Sequence, residues 1–176
     1  AYGYGTYVVV GGAGGSGSAA TSTTGTSWTT RTITTPASGT FVGVAYGGTY
    51  FVALNSAGFT ARSTNGITWT ASGTLPGSAT DWIDITFGNG RFVAISSSGD
   101  YAISVDFGVT WVILGTTLEN IASSGWQKVN YGQGLFLASA GGTTAFATSQ
   151  DGIHWTPQEV GDSATYSAFA FGNPDR

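Results

Sequence analysis

This 176-residue chain has no cysteine and no methionine, and charge is nearly missing: five Lys and Arg, nine Asp and Glu, 8% charged residues and a net charge of −4. Without cysteine there are no disulfides and no thiolate metal sites. The cations are scattered, at Arg31, Arg62, Arg91, Lys128 and Arg176. No basic patch forms, which argues against a nucleic-acid partner. The acidic balance argues against docking on an anionic membrane. No apolar run approaches the length of a membrane span, so no membrane insertion is expected. Helix formers are also scarce, and Gly or Pro interrupts most windows, so no amphipathic helix is expected. What is present excludes disorder: hydrophobic residues reach 41% and aromatics 14%. Solubility must then come from Ser, Thr, Asn and Gly. A neutral, cysteine-free chain of this kind fits an extracellular or virion surface, and its length fits one domain with a good core.

A short phrase recurs four times. It reads Ser22-Thr-Thr-Gly25-Thr-Ser-Trp28, Ser63-Thr-Asn-Gly66-Ile-Thr-Trp69, Ser104-Val-Asp106-Phe-Gly108-Val-Thr-Trp111 and Ser149-Gln-Asp-Gly152-Ile-His-Trp155, with the tryptophans 41, 42 and 44 residues apart. A fixed period in this range marks a repeat architecture. A second phrase precedes the first: Phe41 to Gly47, Trp82 to Gly88, Trp126 to Gly132 and Tyr166 to Gly172 all read aromatic, two residues, apolar, one residue, aromatic, Gly. A tight turn and an apolar run follow, as in Phe92-Val-Ala-Ile95.

The runs are short, rich in Val, Ile, Phe, Tyr and Thr, and punctuated by Gly, Asn and Ser, which is strand-and-turn chemistry. Four strands per repeat of about 40–45 residues is the pattern of a β-propeller blade. The expected fold is all-β: four-stranded antiparallel blades at approximately 1–33, 34–73, 74–116 and 117–160, with the start of a further blade at 161–176. The repeat phase at the two ends, Ala1-Tyr2-Gly3 matching Ala170-Phe171-Gly172, leads us to expect part of a larger or shared propeller.

The Trp phrases resemble the Asp-box, the Ser-x-Asp-x-Gly-x-x-Trp turn of Asp-box (BNR-like) β-propeller repeat proteins found in secreted bacterial proteins and phage tail proteins. Ser104, Asp106, Gly108 and Trp111 have the full spacing. The other copies are one residue shorter, and Thr24 and Asn65 replace the acid in two of them. The resemblance implies a box between the third and fourth strand of each blade, on the outer rim and away from the central pocket. There the acid caps turn N–H groups, the Gly adopts φ > 0 and the Trp packs over the turn. Trp28, Trp69, Trp111, Trp155 and Asp106 are then structural. A ring of tryptophans stacking on sugars is the alternative reading.

No catalytic or metal site emerges. His154 replaces Ser27, Thr68 or Thr110 of the other copies and has no nucleophile beside it. The family includes sialidase-like enzymes, which carry an arginine cluster and a Tyr/Glu pair. The arginines here fall at unrelated repeat positions, so no catalytic residue carries over. No cofactor is expected. The informative deviations are Gly43, Asp84, Lys128 and Ala168, equivalent positions on the inner strands. Asp84 and Lys128 are expected either to pair or to line the channel mouth. The connections Thr29–Thr40, Thr70–Asp81, Val112–Gly125 and Thr156–Thr165 vary most, and Arg31, Glu119 and Asp162 are their polar candidates for ligand binding.

The leading expectation is a non-enzymatic structural or receptor- or glycan-binding module. Its partners would be other subunits or missing blades of one assembly, or a cell-surface glycan. The alternatives are a fragment of an Asp-box glycoside hydrolase with its catalytic residues elsewhere, and a protein assembly scaffold.

Overall fold

The computed structural model describes residues 1–12, 17–34, 39–77, 81–114, 117–141, 144–159 and 171. Four antiparallel sheets of four strands follow one another along the chain. Blade 1 holds β1 (Tyr2–Gly3), β2 (Thr6–Gly11), β3 (Gly17–Ser22) and β4 (Thr29–Ile33). Blade 2 holds β5 (Phe41–Gly47), β6 (Tyr50–Asn55), β7 (Phe59–Ser63) and β8 (Thr70–Thr74). Blade 3 holds β9 (Trp82–Gly88), β10 (Arg91–Ser96), β11 (Tyr101–Ser104) and β12 (Val112–Ile113). Blade 4 holds β13 (Trp126–Gly132), β14 (Leu135–Ala140), β15 (Ala145–Ser149) and β16 (Thr156–Glu159). Each sheet pairs its strands in chain order, the meander of a propeller blade.

Two-residue turns join the innermost strand to the second. Asn89-Gly90 and Gln133-Gly134 have φ of 45°, 75°, 54° and 78°, all positive. That conformation matches the twist of a tight hairpin. Contacts between neighbouring sheets run from β1 and β2 to β5, from β5 to β9 and from β9 to β13, so the inner strands stand side by side around a hub. The sheets stay open, as in part of a propeller.

The core lies between blades rather than in one central mass. Val52 and Leu54 of blade 2 pack with Phe92 and Ala94 of blade 3. Val93 and Ile95 of blade 3 pack with Phe136 and Ala138 of blade 4. Strand alternation thus gives each middle strand two buried faces, one per neighbour.

Two sequence expectations change. A helix is present: α1, Thr117–Ile121, lies between β12 and β13 and buries Leu118 completely. It is a five-residue turn, too short to carry the periodicity by which helices are recognised. The variable connections also begin as structure, because Thr29–Ile33, Thr70–Thr74, Val112–Ile113 and Thr156–Glu159 are the outermost strands themselves. The strand expected at Tyr166–Phe171, and Ala168, lie outside the described residues except for Phe171.

Candidate functional site

The hub cavity is built by a repeated irregularity. In blades 2, 3 and 4 the innermost strand slips register just after its leading aromatic, so that Val42, Ile83 and Gln127 are extra residues. A bulge of this kind re-aims the next side chain. The next residues are Gly43, Asp84 and Lys128. Asp84 points its carboxylate across the blade boundary, where Oδ2 accepts the Val129 N–H at 3.1 Å and Oδ1 accepts its neighbour Ile85 N–H at 3.0 Å. Lys128 Nζ stands 3.9 Å from Oδ2. A Cβ at Gly43 would come within 3.2 Å of Asp84 Oδ1, so the glycine makes room for the acid. Burial pushes the Asp84 carboxyl above its usual range; Lys128 and the two N–H bonds pull down without cancelling it.

Asp84 also lines a cavity of about 420 Å³ between the inner strands, together with Val44, Thr86, Val129, Asn130 and the aromatics Tyr46, Phe87 and Tyr131. The structure therefore brings Asp84 and Lys128 together and sets Asp84 on the cavity wall. Lys128 is exposed beside it. Arg31 is elsewhere, on β4, donating Nε–H to Thr21 Oγ1 at 3.1 Å and lining a second cavity of about 420 Å³ with Thr6, Thr24, Thr26 and Thr29. Glu119 is exposed on α1. Asp162 lies outside the described residues. Among the described residues no three His, Cys, Asp or Glu side chains cluster as metal ligands.

The four Trp phrases are turns between the third and fourth strands, as the resemblance implies. The serine hydroxyl accepts the N–H of the turn glycine in each: Gly25 to Ser22, Gly66 to Ser63, Gly108 to Ser104 and Gly152 to Ser149, at 2.8–2.9 Å. Asp106 Oδ1 accepts the Val109 and Thr110 N–H groups, and Asp151 Oδ1 accepts those of Ile153 and His154. Asn65 does the same for Ile67 and Thr68. Slight burial pushes the Asp151 carboxyl up. The N–H bond and ring contact from His154 and the bonds from Ile153 and Ser149 outweigh it and hold the group well below the carboxylate range.

A feature that sequence reasoning missed is what these turns touch. Those of blades 2, 3 and 4 each sit on the preceding blade. A Cβ at Gly66 would reach 2.6 Å from Val8, at Gly108 2.8 Å from Val52, and at Gly152 2.8 Å from Val93. Thr60 of blade 2 donates to Gly108 O at 3.1 Å, and Tyr101 of blade 3 donates to Ile153 O at 2.8 Å. The boxes are clasps between blades.

A second clasp operates at the hub. The last aromatic of β5, β9 and β13 rests on the glycine that ends the inner strand before it, Tyr46 on Gly3, Phe87 on Gly47 and Tyr131 on Gly88, and Phe171 rests on Gly132. A signal for it was the constant Gly after the aromatic, which reads more simply as turn chemistry.

No protein-family model and no curated protein matches the chain. Solved structures do. YCF48 from Cyanidioschyzon merolae superposes with a TM-score of 0.63 at 20% identity over 89% of this chain and 56% of that one. YCF48 bound to D1 peptide gives 0.61, 18%, 90% and 59%. The Nidogen/Laminin complex gives 0.60, 11%, 90% and 63%. Virginiamycin B lyase from Staphylococcus aureus gives 0.67, 11%, 83% and 50%. These are β-propellers with four-stranded blades, and at such identities the likeness is one of fold. This chain spans between 50% and 63% of their lengths.

Proposed function

We propose that the chain is a non-enzymatic propeller module that holds a protein partner at its hub. The observation that carries this reading is the hub cavity of about 420 Å³, walled by inner strands, in which Asp84 is tied to the Val129 and Ile85 N–H groups and faces Lys128. A carboxylate held this way staples two blades, and the remaining wall offers backbone and aromatic edges of the kind that hold a peptide segment. Two of the similar structures are, by their descriptions, complexes: YCF48 with D1 peptide, and nidogen with laminin. We extend the proposal to an extracellular or virion-surface setting, on the low charge and the Ser-, Thr- and Gly-rich composition.

Selection of a displayed peptide library against the chain tests this, with a glycan array run beside it. Peptides enriched on the native chain should lose at least about tenfold in affinity for Asn130→Trp, which narrows the cavity at an exposed wall position; that is about 1.4 kcal/mol. Glycan binding without peptide binding, or turnover of a sialoside, would replace the protein-binding reading with a carbohydrate-directed one.

A further inference from the structure

The described arginines fall on different strands of the repeat. Arg31 is on β4, Arg62 on β7 and Arg91 at the start of β10, the fourth, third and second strands of their blades. The fold nevertheless gives them one setting. Val8, Val52 and Val93 lie on the face that each blade turns to the next, under the next blade's box glycine. Arg91 is two residues before Val93 and so shares its face. Arg62 is the cross-strand partner of Val52. Arg31 pairs with Ala19, two residues from Thr21, which pairs with Val8. All three also stand at the box end of their blades. Arg62 directly precedes the box serine Ser63, and Arg31 closely follows Trp28. Arg91 follows the turn whose Asn89 donates to Gln150 O in the next blade's box at 3.2 Å. Each junction between the four blades thus carries one arginine on the same rim.

Two of these places are open clefts. Between blades 1 and 2, Arg31 lines the cavity of about 420 Å³ with Thr6, Thr24, Thr26, Ser27 and Thr29, and Ile67 of the blade 2 box closes one side. On blade 2, Arg62 lines a cavity of about 270 Å³ with Tyr50, Thr64, Thr68 and Thr70. The two linings correspond: Tyr50 stands where Thr6 does, Thr68 where Ser27 does and Thr70 where Thr29 does. Among the described residues no acid lines either cleft. The ion pairs among the described residues are Asp84 with Lys128 and Asp151 with His154, so neither cleft arginine has a carboxylate partner there. Both guanidinium groups are nonetheless held in place. Arg31 is fixed by the bond from Nε to the buried Thr21. Arg62 lies over the face of Tyr50, 4.9 Å from the ring centroid. Each side chain is half-buried, so ordering it for a ligand costs little.

We propose that these rim clefts bind an acidic glycan, each arginine pairing with a sugar carboxylate while the threonine and serine hydroxyls exchange hydrogen bonds with ring hydroxyls. A guanidinium is a planar fork that meets a carboxylate through two parallel bonds. Hydroxyl side chains both donate and accept, as sugar hydroxyls do. A peptide segment calls instead for a strand edge or an apolar anchor pocket. In the Arg31 cleft, Ile67 is the one hydrocarbon side chain among the described residues that line it. The net charge of −4 gives no general attraction to a polyanion, so recognition has to be local to the arginines. Clefts on successive blades let one polymer occupy both, which strengthens two weak contacts without adding a third. Neither cleft shares a lining residue with the hub cavity, so this is a second site beside the peptide site.

Calorimetric titration of the full chain with polygalacturonate, hyaluronate and polysialic acid tests the proposal, each beside its methyl ester and with poly-glutamate as a further arm. At least one of the three should bind, and its ester should not. Arg31→Ala and Arg62→Ala should each weaken that binding at least about tenfold, the loss of one charge-assisted pair. Arg31→Lys should restore it only in part, because the charge stays and the fork is lost. Thr29→Glu sets a carboxylate into the same cleft from an exposed strand position. It should weaken binding as much as Arg31→Ala while thermal unfolding stays unchanged. A chain that binds none of the three polymers overturns the proposal. Binding that survives esterification, or the Arg31→Ala and Arg62→Ala changes made together, overturns it too. Poly-glutamate held as tightly as the glycan would assign the clefts to acidic protein segments instead. None of these variants lies at the hub, so loss of glycan binding leaves the peptide site intact, and Asn130→Trp leaves the glycan site intact. The two readings therefore fail separately.

Discussion

Two aspartates show how position alone sets the sign of an acid's effect. Asp84 is buried at a blade boundary and its carboxyl is raised; Asp151 sits in an exposed turn among donors and its carboxyl is lowered. Carboxyl-detected NMR titration should find Asp151 ionising before Asp84 as pH rises. Linkage then gives opposite contributions. Asp151, depressed in the folded chain, stabilises it fully above the ordinary carboxylate value of about 4 and loses that contribution as pH falls through its folded value. Asp84, raised in the folded chain, contributes most below about 4 and less as pH rises through its folded value. Replacing Asp151 with Ala should lower stability near neutral pH by about 1 kcal/mol, the usual effect of removing a capping acceptor. Asp151→Asn should cost less, because Asn65 already does this work in blade 2. Lys128→Ala should move the Asp84 titration further up, since Lys128 pulls it down. At 3.9 Å and with Lys128 half exposed, the pair itself should change stability by no more than about 0.5 kcal/mol. Equal titration points for Asp84 and Asp151 would show that neither environment is formed in solution.

At the scale of the strand and the turn, the same residue type serves two purposes within three positions. Gly88 lies under the Tyr131 ring, while Gly90 has nothing within 4 Å of an added Cβ but a φ of 75°. Gly88→Ala should overpack the hub and cost about 1–3 kcal/mol or more. Gly90→Ala should cost about 1 kcal/mol through its backbone alone. Thermal unfolding of the two variants orders them, and a milder Gly88→Ala would mean that the Tyr131 ring can swing clear. The tryptophans divide in the same way. Trp155 packs on Tyr101 and Phe136 with centroids 6.2 and 6.5 Å away, so Trp155→Ala should lose about 3–5 kcal/mol. Trp28→Ala should change a single chain by about 0.5 kcal/mol.

These pairs also mark where the sequence is readable. The four-strand period, the turn glycines and the box bonds could be anticipated because they depend on residues close in the chain. Asp84 and Lys128 could be singled out because they break a repeat. That the box presses on the blade before it depends on contacts such as Thr60 with Gly108 and Tyr101 with Ile153, 48 and 52 residues apart in the chain. Box and hub glycines look alike in sequence, since a turn and a close approach both call for one. α1 escaped because five residues show no period.

For the whole molecule the consequence is a nearly one-dimensional energy distribution, in which each blade is held by its neighbours. Blades 2 and 3 have a neighbour on each side. Among the described residues blade 1 has one, and its β2 pairs with β1 over two residues of its inner edge. Local opening should therefore begin in blade 1. Native-state hydrogen exchange should find the amides of Phe51 to Leu54 and Phe92 to Ile95, all completely buried, exchanging near the global unfolding limit. Those of Val9 to Gly11 should exchange much faster under dilute conditions. Uniform protection across all four blades in dilute solution would contradict the neighbour-by-neighbour account. It would mean that blade 1 is already covered, and the exposed Tyr2, Tyr7 and Trp28 would need another explanation.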